Sequence, residues 1–189
     1  TANVTIGVSS SDTGEGTVSP SSITFTSVNW NANQTVTATG VNDYLDDGNQ
    51  SYTIVLAAAS SSDSGYSGLN PADVTVSNTD DETAGVTVSS ISGNTTEAGG
   101  TATFTVKLSS QPTANVTIVV SSSDTTEGTV SPSLLTFTSS NWNANQTVTV
   151  TGVNDSLDDG NQSYTIVLAA ATSNSSGCIC YSGLNPADV

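Results

Sequence analysis

The sequence predicts an all-β fold built of tandem antiparallel β-sandwiches, and three observations carry this prediction. Apolar and polar residues alternate with a period of two in several segments, such as Thr101–Leu108, which is the pattern of a half-buried strand. No segment shows a helical period. The chain also repeats itself at an offset of 112 residues, a length that fits one domain per repeat.

The repeat is nearly perfect and predicts two domains. Residues 1–56 match residues 113–168 with seven differences, and residues 66–74 recur as residues 181–189 after a three-residue insertion. Residues 75–112 occur once. We therefore expect one domain over 1–83 that lacks its first two strands and another over 84–189 that lacks its last. Either the chain is a window from a longer array, or each domain is incomplete.

A full repeat is expected to contain seven strands. Strand B, predicted over residues 101–108, shows the clearest pattern, because its apolar residues alternate with Thr and Lys107, which we expect to face water. The same period marks residues 114–120, 146–153 and 162–169, and Gly, Asn-Asp and Asp-Gly separate the runs at turn positions. The predicted strands are A near 85–91, B 101–108, C 114–120, D 134–138, E 146–153, F 162–169 and G 73–79, the last only in the first copy.

Seven strands at this spacing are typical of an immunoglobulin-like sandwich with Greek-key connections. Trp30 and Trp142 occupy equivalent positions before strand E. We expect them to cover the end of the core rather than to serve as platforms for a ligand. An open sandwich exposes apolar surface and unpaired backbone, so a neighbouring copy could supply the missing strands.

The charge balance excludes several classes of function. Lys107 is the only cation beside 17 acidic residues, histidine is absent, and the net charge is -16. Such a chain cannot neutralise phosphates, which excludes nucleic acid and disfavours anionic membrane surfaces. No apolar run approaches the roughly 18 residues of a membrane span, so we expect no membrane insertion. Without a nucleophile elbow, a phosphate loop or any histidine, we expect no enzymatic activity.

The acidic residues gather at one end of the predicted sandwich. If consecutive strands alternate direction, 14 of the 17 acids fall at one end and only Asp63, Asp73 and Asp188 at the other. Gathered like charges repel, by roughly 1 kcal/mol for a pair about 4 Å apart in water. A hard divalent cation would offset this repulsion, and calcium fits better than magnesium. The alternative is that these acids are ordinary turn formers in soluble loops.

Four segments resemble Calx-beta repeats. Residues 150–168 and 37–56 resemble the E–F core of that family, residues 96–106 its A–B turn, and residues 77–82 its acidic exit from strand G. The resemblance implies a calcium-binding β-sandwich, although Asn42-Asp43 and Asn154-Asp155 stand where the family often has Asp-Asp. It implies these calcium ligands: Asp12, Asp43, Asp46, Asp47, Asp80 and Asp81 in the first domain, and Glu97, Asp124, Asp155, Asp158 and Asp159 in the second.

Together these observations favour an extracellular structural repeat protein at a cell surface, such as a fibre, stalk or adhesin. Its expected partners are copies of itself, joined head to tail, with calcium stiffening each module. A calcium-sensing domain and a carbohydrate-binding module are the alternatives. Cys178 and Cys180 could pair with each other or with another thiol. Glycans could be attached at nine sequons: Asn3, Asn33, Asn49, Asn94, Asn115, Asn145, Asn154, Asn161 and Asn174.

Overall fold

The computed structural model describes residues 2–174 and 181–189, and within them the protein is all-β with antiparallel strand pairs and no helix. No helix in these ranges could therefore span a membrane. Cys178 and Cys180, whose pairing the sequence leaves open, lie outside the described residues. The chain forms two compact units. Unit 1 comprises Thr1–Asp43 and Asp47–Asp80, and unit 2 comprises Tyr44–Asp46 and Asp81–Val189.

Unit 1 contains seven strands in two sheets. One sheet has the order β3-β1-β5-β7, with β6 also paired to β1, and the other consists of β2 and β4. β1 pairs with β3, with Val4 opposite Phe25 and Ile6 opposite Ile23, and the equivalent strands of unit 2 pair in the same register. The strands are β1 Val4–Ser10, β2 Gly16–Ser19, β3 Ser22–Phe25, β4 Thr37–Gly40, β5 Gln50–Leu56, β6 Ser60–Ser61 and β7 Val74–Asn78.

In the described part of the chain, unit 2 contains eight strands, also in two sheets. One has the order β12-β10-β14, with β15 paired to β10, and the other has the order β11-β13-β9-β8. The strands are β8 Val86–Val88, β9 Thr101–Leu108, β10 Val116–Ser122, β11 Gly128–Ser131, β12 Leu134–Phe137, β13 Gln146–Gly152, β14 Ile166–Leu168 and β15 Thr172–Ser173.

Side chains from both sheets of unit 2 form one buried cluster. Phe104, Val106 and Leu108 of β9 meet Ile118 of β10 and Phe137 of β12, all at most 1% exposed. The period-two prediction for β9 is confirmed, because its apolar side chains are buried while Lys107 is exposed. Burying each large side chain stabilises the unit by about 1.5–3 kcal/mol.

Unit 1 has a smaller core although its sequence is nearly the same. Only Val8, Tyr52 and Ile54 form its buried cluster, with Val18, Val36, Leu56 and Val76 packed partly buried against them. The equivalents of Ile118 and Phe137, which are Ile6 and Phe25, are only half-buried. The difference follows from the sheets, because among residues 2–174 and 181–189 β2 and β4 pair only with each other, while β13 pairs with both β11 and β9.

The largest differences between the observed and the predicted strands are the following. The short strands Ser60–Ser61 and Thr172–Ser173 were not predicted. Gly128–Ser131 and its equivalent Gly16–Ser19 are strands that the sequence pattern did not predict. Strand F was predicted over 162–169, but β14 covers only Ile166–Leu168. The predicted strand A, near 85–91, is reduced to Val86–Val88 because only these three residues pair with β9.

Candidate metal centre

Two turns with the same pattern follow β1 and β10 and carry the first acids. In unit 2, Asp124 Oδ1 accepts hydrogen bonds from the backbone N of Thr126 at 3.0 Å and from its hydroxyl at 2.6 Å. Both bonds lower the pKa of Asp124 below its ordinary value, and the bond from the Thr126 hydroxyl has the larger effect. In unit 1, Asp12 Oδ1 likewise accepts from Gly14 N at 2.9 Å. Both carboxylates therefore serve first to hold their own turns.

A backbone hydrogen bond joins each of these turns to the loop that follows β4 in unit 1 or β13 in unit 2. Val41 N donates to Glu15 O at 3.0 Å, and Val153 N donates to Glu127 O at 2.9 Å. These bonds extend the β2–β4 and β11–β13 ladders by one step beyond the strand ends. As a result each glutamate lies beside the loop that carries the Asn-Asp and Asp-Asp-Gly motifs.

The same loops are shaped by their own side chains and by one glycine each. Asp155 Oδ1 accepts from Ser156 N at 2.7 Å and from Leu157 N at 2.8 Å. Gly48 and Gly160 both adopt a φ of 75°, a left-handed conformation that glycine takes without strain. Each glycine directly follows an exposed aspartate of its loop, Asp47 or Asp159.

Three carboxylates converge in each unit. Glu15, Asp43 and Asp47 can bring one oxygen each within 4.8 Å of one another, and so can Glu127, Asp155 and Asp159. The two groups are the same three positions, offset by 112 residues. In each, the glutamate and the first aspartate are half-buried and the second aspartate is exposed. We call these groups acidic triad 1 and acidic triad 2.

The spacing of each triad suits a calcium ion. Ca2+ binds oxygens at about 2.3–2.6 Å, so two of its ligands stand at most about 5 Å apart, and it takes six to eight ligands, water included. Three carboxylates leave positions for backbone carbonyls and water. Mg2+ requires a tighter and nearly octahedral shell and gives up its water reluctantly. The arrangement can therefore hold one hard divalent cation per unit.

Electrostatic repulsion is concentrated at Glu127. Desolvation raises its pKa above the ordinary value, and the negative charges of Asp159, Asp155, Asp124 and Glu97 raise it further, in that order. Acids from three separate loops of unit 2 thus act on one carboxyl group. A bound cation would reverse this effect by favouring the ionised form of Glu127.

Four of the eleven ligands suggested by the sequence belong to the triads, namely Asp43, Asp47, Asp155 and Asp159. Asp80 and Asp46 make other bonds, since Asp80 Oδ2 accepts from Gly48 N at 2.6 Å and Asp46 Oδ2 accepts from Ala84 N at 2.7 Å. Asp80 thereby supports the turn that carries triad 1. The ligands suggested by the sequence that lie outside both triads are Asp12, Asp46, Asp80, Asp81, Glu97, Asp124 and Asp158.

The sequence interpretation did not assign Glu15 and Glu127 as ligands. It placed both at the acidic end, but the ligand set implied by the resemblance did not include them. The available signal was the strict Asp-x-x-Glu-Gly spacing in both copies, residues 12–16 and 124–128. This spacing places the glutamate just before β2 or β11, where the strand pairing directs it toward the second loop.

Two further sequence expectations concern tryptophan and the sequons. In unit 2, Trp142 packs against the core and its ring centroid lies 5.8 Å from that of Tyr44, so the expected plug is present there. Trp30 differs from the expectation, because it is 70% exposed. All nine sequon asparagines are exposed.

Searches of protein-family models, of curated proteins and of solved structures each find no match to this chain.

Proposed function

We propose that this protein is an extracellular structural repeat protein, a fibre, stalk or adhesin at a cell surface, whose immunoglobulin-like modules each hold one calcium ion. The single observation that carries the proposal is the duplication of the acidic triad at the same three positions in both units. A catalytic site is seldom duplicated with its scaffold, whereas a structural ion site is repeated with every module that needs it. The likeness of residues 150–168 and 96–106 to Calx-beta repeats supports the same function.

Three other features support the proposal. Near-identical tandem units are typical of arrays in which each unit contacts only its neighbours. The net charge of -16 keeps such a surface soluble, and the exposure of all nine sequon asparagines leaves them accessible to attached glycans. Greek-key sandwiches joined head to tail would give an extended assembly of copies of this chain.

The test is a calorimetric titration of the metal-free chain with calcium, repeated with magnesium. We expect two calcium sites per chain in the wild type, one in Glu15→Gln, one in Glu127→Gln and none in the double variant. Asp63→Asn is the matched control, because it removes one negative charge outside both triads and should leave two sites. At calcium about 100-fold above Kd, binding stabilises the native state by about 2.7 kcal/mol, so chelation should lower the unfolding midpoint.

Two results would contradict the calcium site. One is the absence of saturable binding at millimolar calcium. The other is unchanged stoichiometry in the double variant, which would place the ions elsewhere. An unchanged midpoint on chelation would separately remove stiffening by calcium from the proposed function.

A further inference from the structure

We propose that unit 1 carries a docking site for one extended segment with the sequence pattern of residues 84–112, added as a strand along the edge of β4 that pairs with no strand of the described residues. The site consists of the β4 edge and the half-buried apolar face beside it. We name it the β4 edge site, formed by Val4, Ile6, Ile23, Phe25, Val36 and Ala38. The proposal does not depend on the acidic triads.

The first argument is the comparison of equivalent side chains in the two units. Val116, Ile118, Leu135, Phe137 and Val148 of unit 2 are all completely buried. Their equivalents in unit 1, offset by 112 residues, are each only half-buried: Val4, Ile6, Ile23, Phe25 and Val36. The two sets have nearly the same sequence, so the difference lies in what covers them.

In unit 2 the covering element is β9. Phe104, Val106 and Leu108 project from this strand into the cluster that contains the five buried residues. β9 also pairs along its length with β13, with Phe104 opposite Val148 and Ala102 opposite Val150. In unit 1 the equivalent of β13 is β4, and among the described residues β4 pairs only with β2.

β4 and its equivalent β13 have almost the same sequence, and β13 is the strand with which β9 pairs in unit 2. Residues 34–40 differ from residues 146–152 only at Ala38, where the second copy has Val150. The register follows directly, with Phe104 of the added segment opposite Val36 and Ala102 opposite Ala38. Backbone hydrogen bonds along the edge would supply affinity, and the apolar side chains would supply specificity.

A tyrosine outside the strands gives independent support. In unit 2, Tyr181 is 4% exposed, and its hydroxyl bonds Ser110 N at 2.9 Å and Ser110 O at 2.7 Å. Ser110 follows β9 by two residues. The equivalent tyrosine of unit 1, Tyr66, is 52% exposed. A docked segment that continues past the Leu108 position would bring a serine to Tyr66 in the same way.

The test uses a synthetic peptide of residues 84–112 added to the full chain. We expect saturable binding with one peptide per chain, and slower amide hydrogen exchange at residues 34–38 on binding. Phe104→Ala in the peptide should weaken binding roughly a hundredfold, because it removes the largest buried side chain of the segment. A peptide that carries Lys107→Gln instead is the control and should bind like the original, since Lys107 faces water.

Substitution of Ala38 tests the same contact from the other side. Ala38 is exposed in the chain, so Ala38→Asp should leave the unfolding midpoint of the free protein unchanged and yet abolish peptide binding. Ala38→Val recreates the residue that β9 covers in unit 2 and should tighten binding. Binding that responds to neither substitution would overturn the proposal.

A covalent arrangement keeps the test decisive if the peptide associates with itself. Residues 84–112 placed before Thr1 recreate the connection that leads from β9 into β10 in unit 2. We expect this extension to raise the unfolding midpoint of unit 1, and the same extension with Phe104→Asp to leave it unchanged. No shift with the unmodified extension would overturn the proposal. Protection of residues 34–38 that rises with concentration of the free chain would assign the site to a second whole copy, and would also overturn it.

Discussion

The charge state of one residue, Glu127, should contribute to how the stability of unit 2 depends on pH. Its pKa is raised by desolvation and by the surrounding acids, so in the metal-free chain protonation of Glu127 favours the folded state. This contribution is fully present below the ordinary glutamate pKa, 4.5, and is lost as the pH rises through the higher folded value. Asp124 has a lowered pKa and acts in the opposite direction, but only at and below its own ordinary value of 3.8.

Calcium should therefore reverse the pH dependence of the unfolding midpoint of unit 2. Without metal, the unfolding midpoint of unit 2 should rise as the pH is lowered from neutrality toward 4.5, the ordinary glutamate pKa. With saturating calcium it should fall over the same range, because protons compete with the cation for Glu127. Thermal melts followed by circular dichroism would measure both trends. Glu127→Gln should flatten both, and a midpoint that moves in the same direction with and without calcium would contradict the prediction.

At the level of elements, the turn over residues 95–100 packs closely against β13 at Gly152. A Cβ at Gly152 would lie 2.7 Å from the carbonyl carbon of Thr96, a backbone atom that cannot move aside alone. Thr95 is also held by a 2.7 Å hydrogen bond between its hydroxyl and that of Tyr164. This turn carries Glu97, one of the charges that act on Glu127.

Gly152→Ala should therefore destabilise unit 2 by about 1–3 kcal/mol, the usual cost of an overpacked contact. Gly93→Ala is the matched control, because nothing lies within 4 Å of the added Cβ and the backbone there is unstrained. Chemical denaturation of both variants would measure the difference. If Gly152→Ala unfolds at the same denaturant concentration as the control, the turn is not held in place by this contact.

The elements also show which strand bounds could be predicted from the sequence alone. The bounds of β9 were predicted correctly because its alternation is long and regular. Residues 50–56 and 162–168 have the same sequence, yet β5 covers seven residues and β14 only three. β5 is longer because β7 pairs with Gln50 through Ile54, and no sequence pattern within the segment records that partner. Gly128–Ser131 was missed for the same reason, because it is a strand only through pairing with β13.

The candidate site was predictable to a similar degree. The gathering of acids followed from strand alternation, and four of the six triad residues were assigned from the resemblance. The two glutamates were not assigned, because their position depends on backbone bonds such as that from Val153 to Glu127. Asp46 and Asp80 were assigned as ligands, but their carboxylates bond backbone amides, a choice that depends on neighbours distant in sequence.

For the whole molecule, the unequal cores predict unfolding in two steps. The buried cluster of unit 1 contains three side chains, whereas that of unit 2 contains fourteen. Since each buried large apolar side chain contributes about 1.5–3 kcal/mol, unit 1 should unfold first. Differential scanning calorimetry should show two transitions in the metal-free chain. Val8→Ala should lower only the first, and its equivalent Val120→Ala only the second, while a single transition lowered equally by both substitutions would show that the chain unfolds as one cooperative unit.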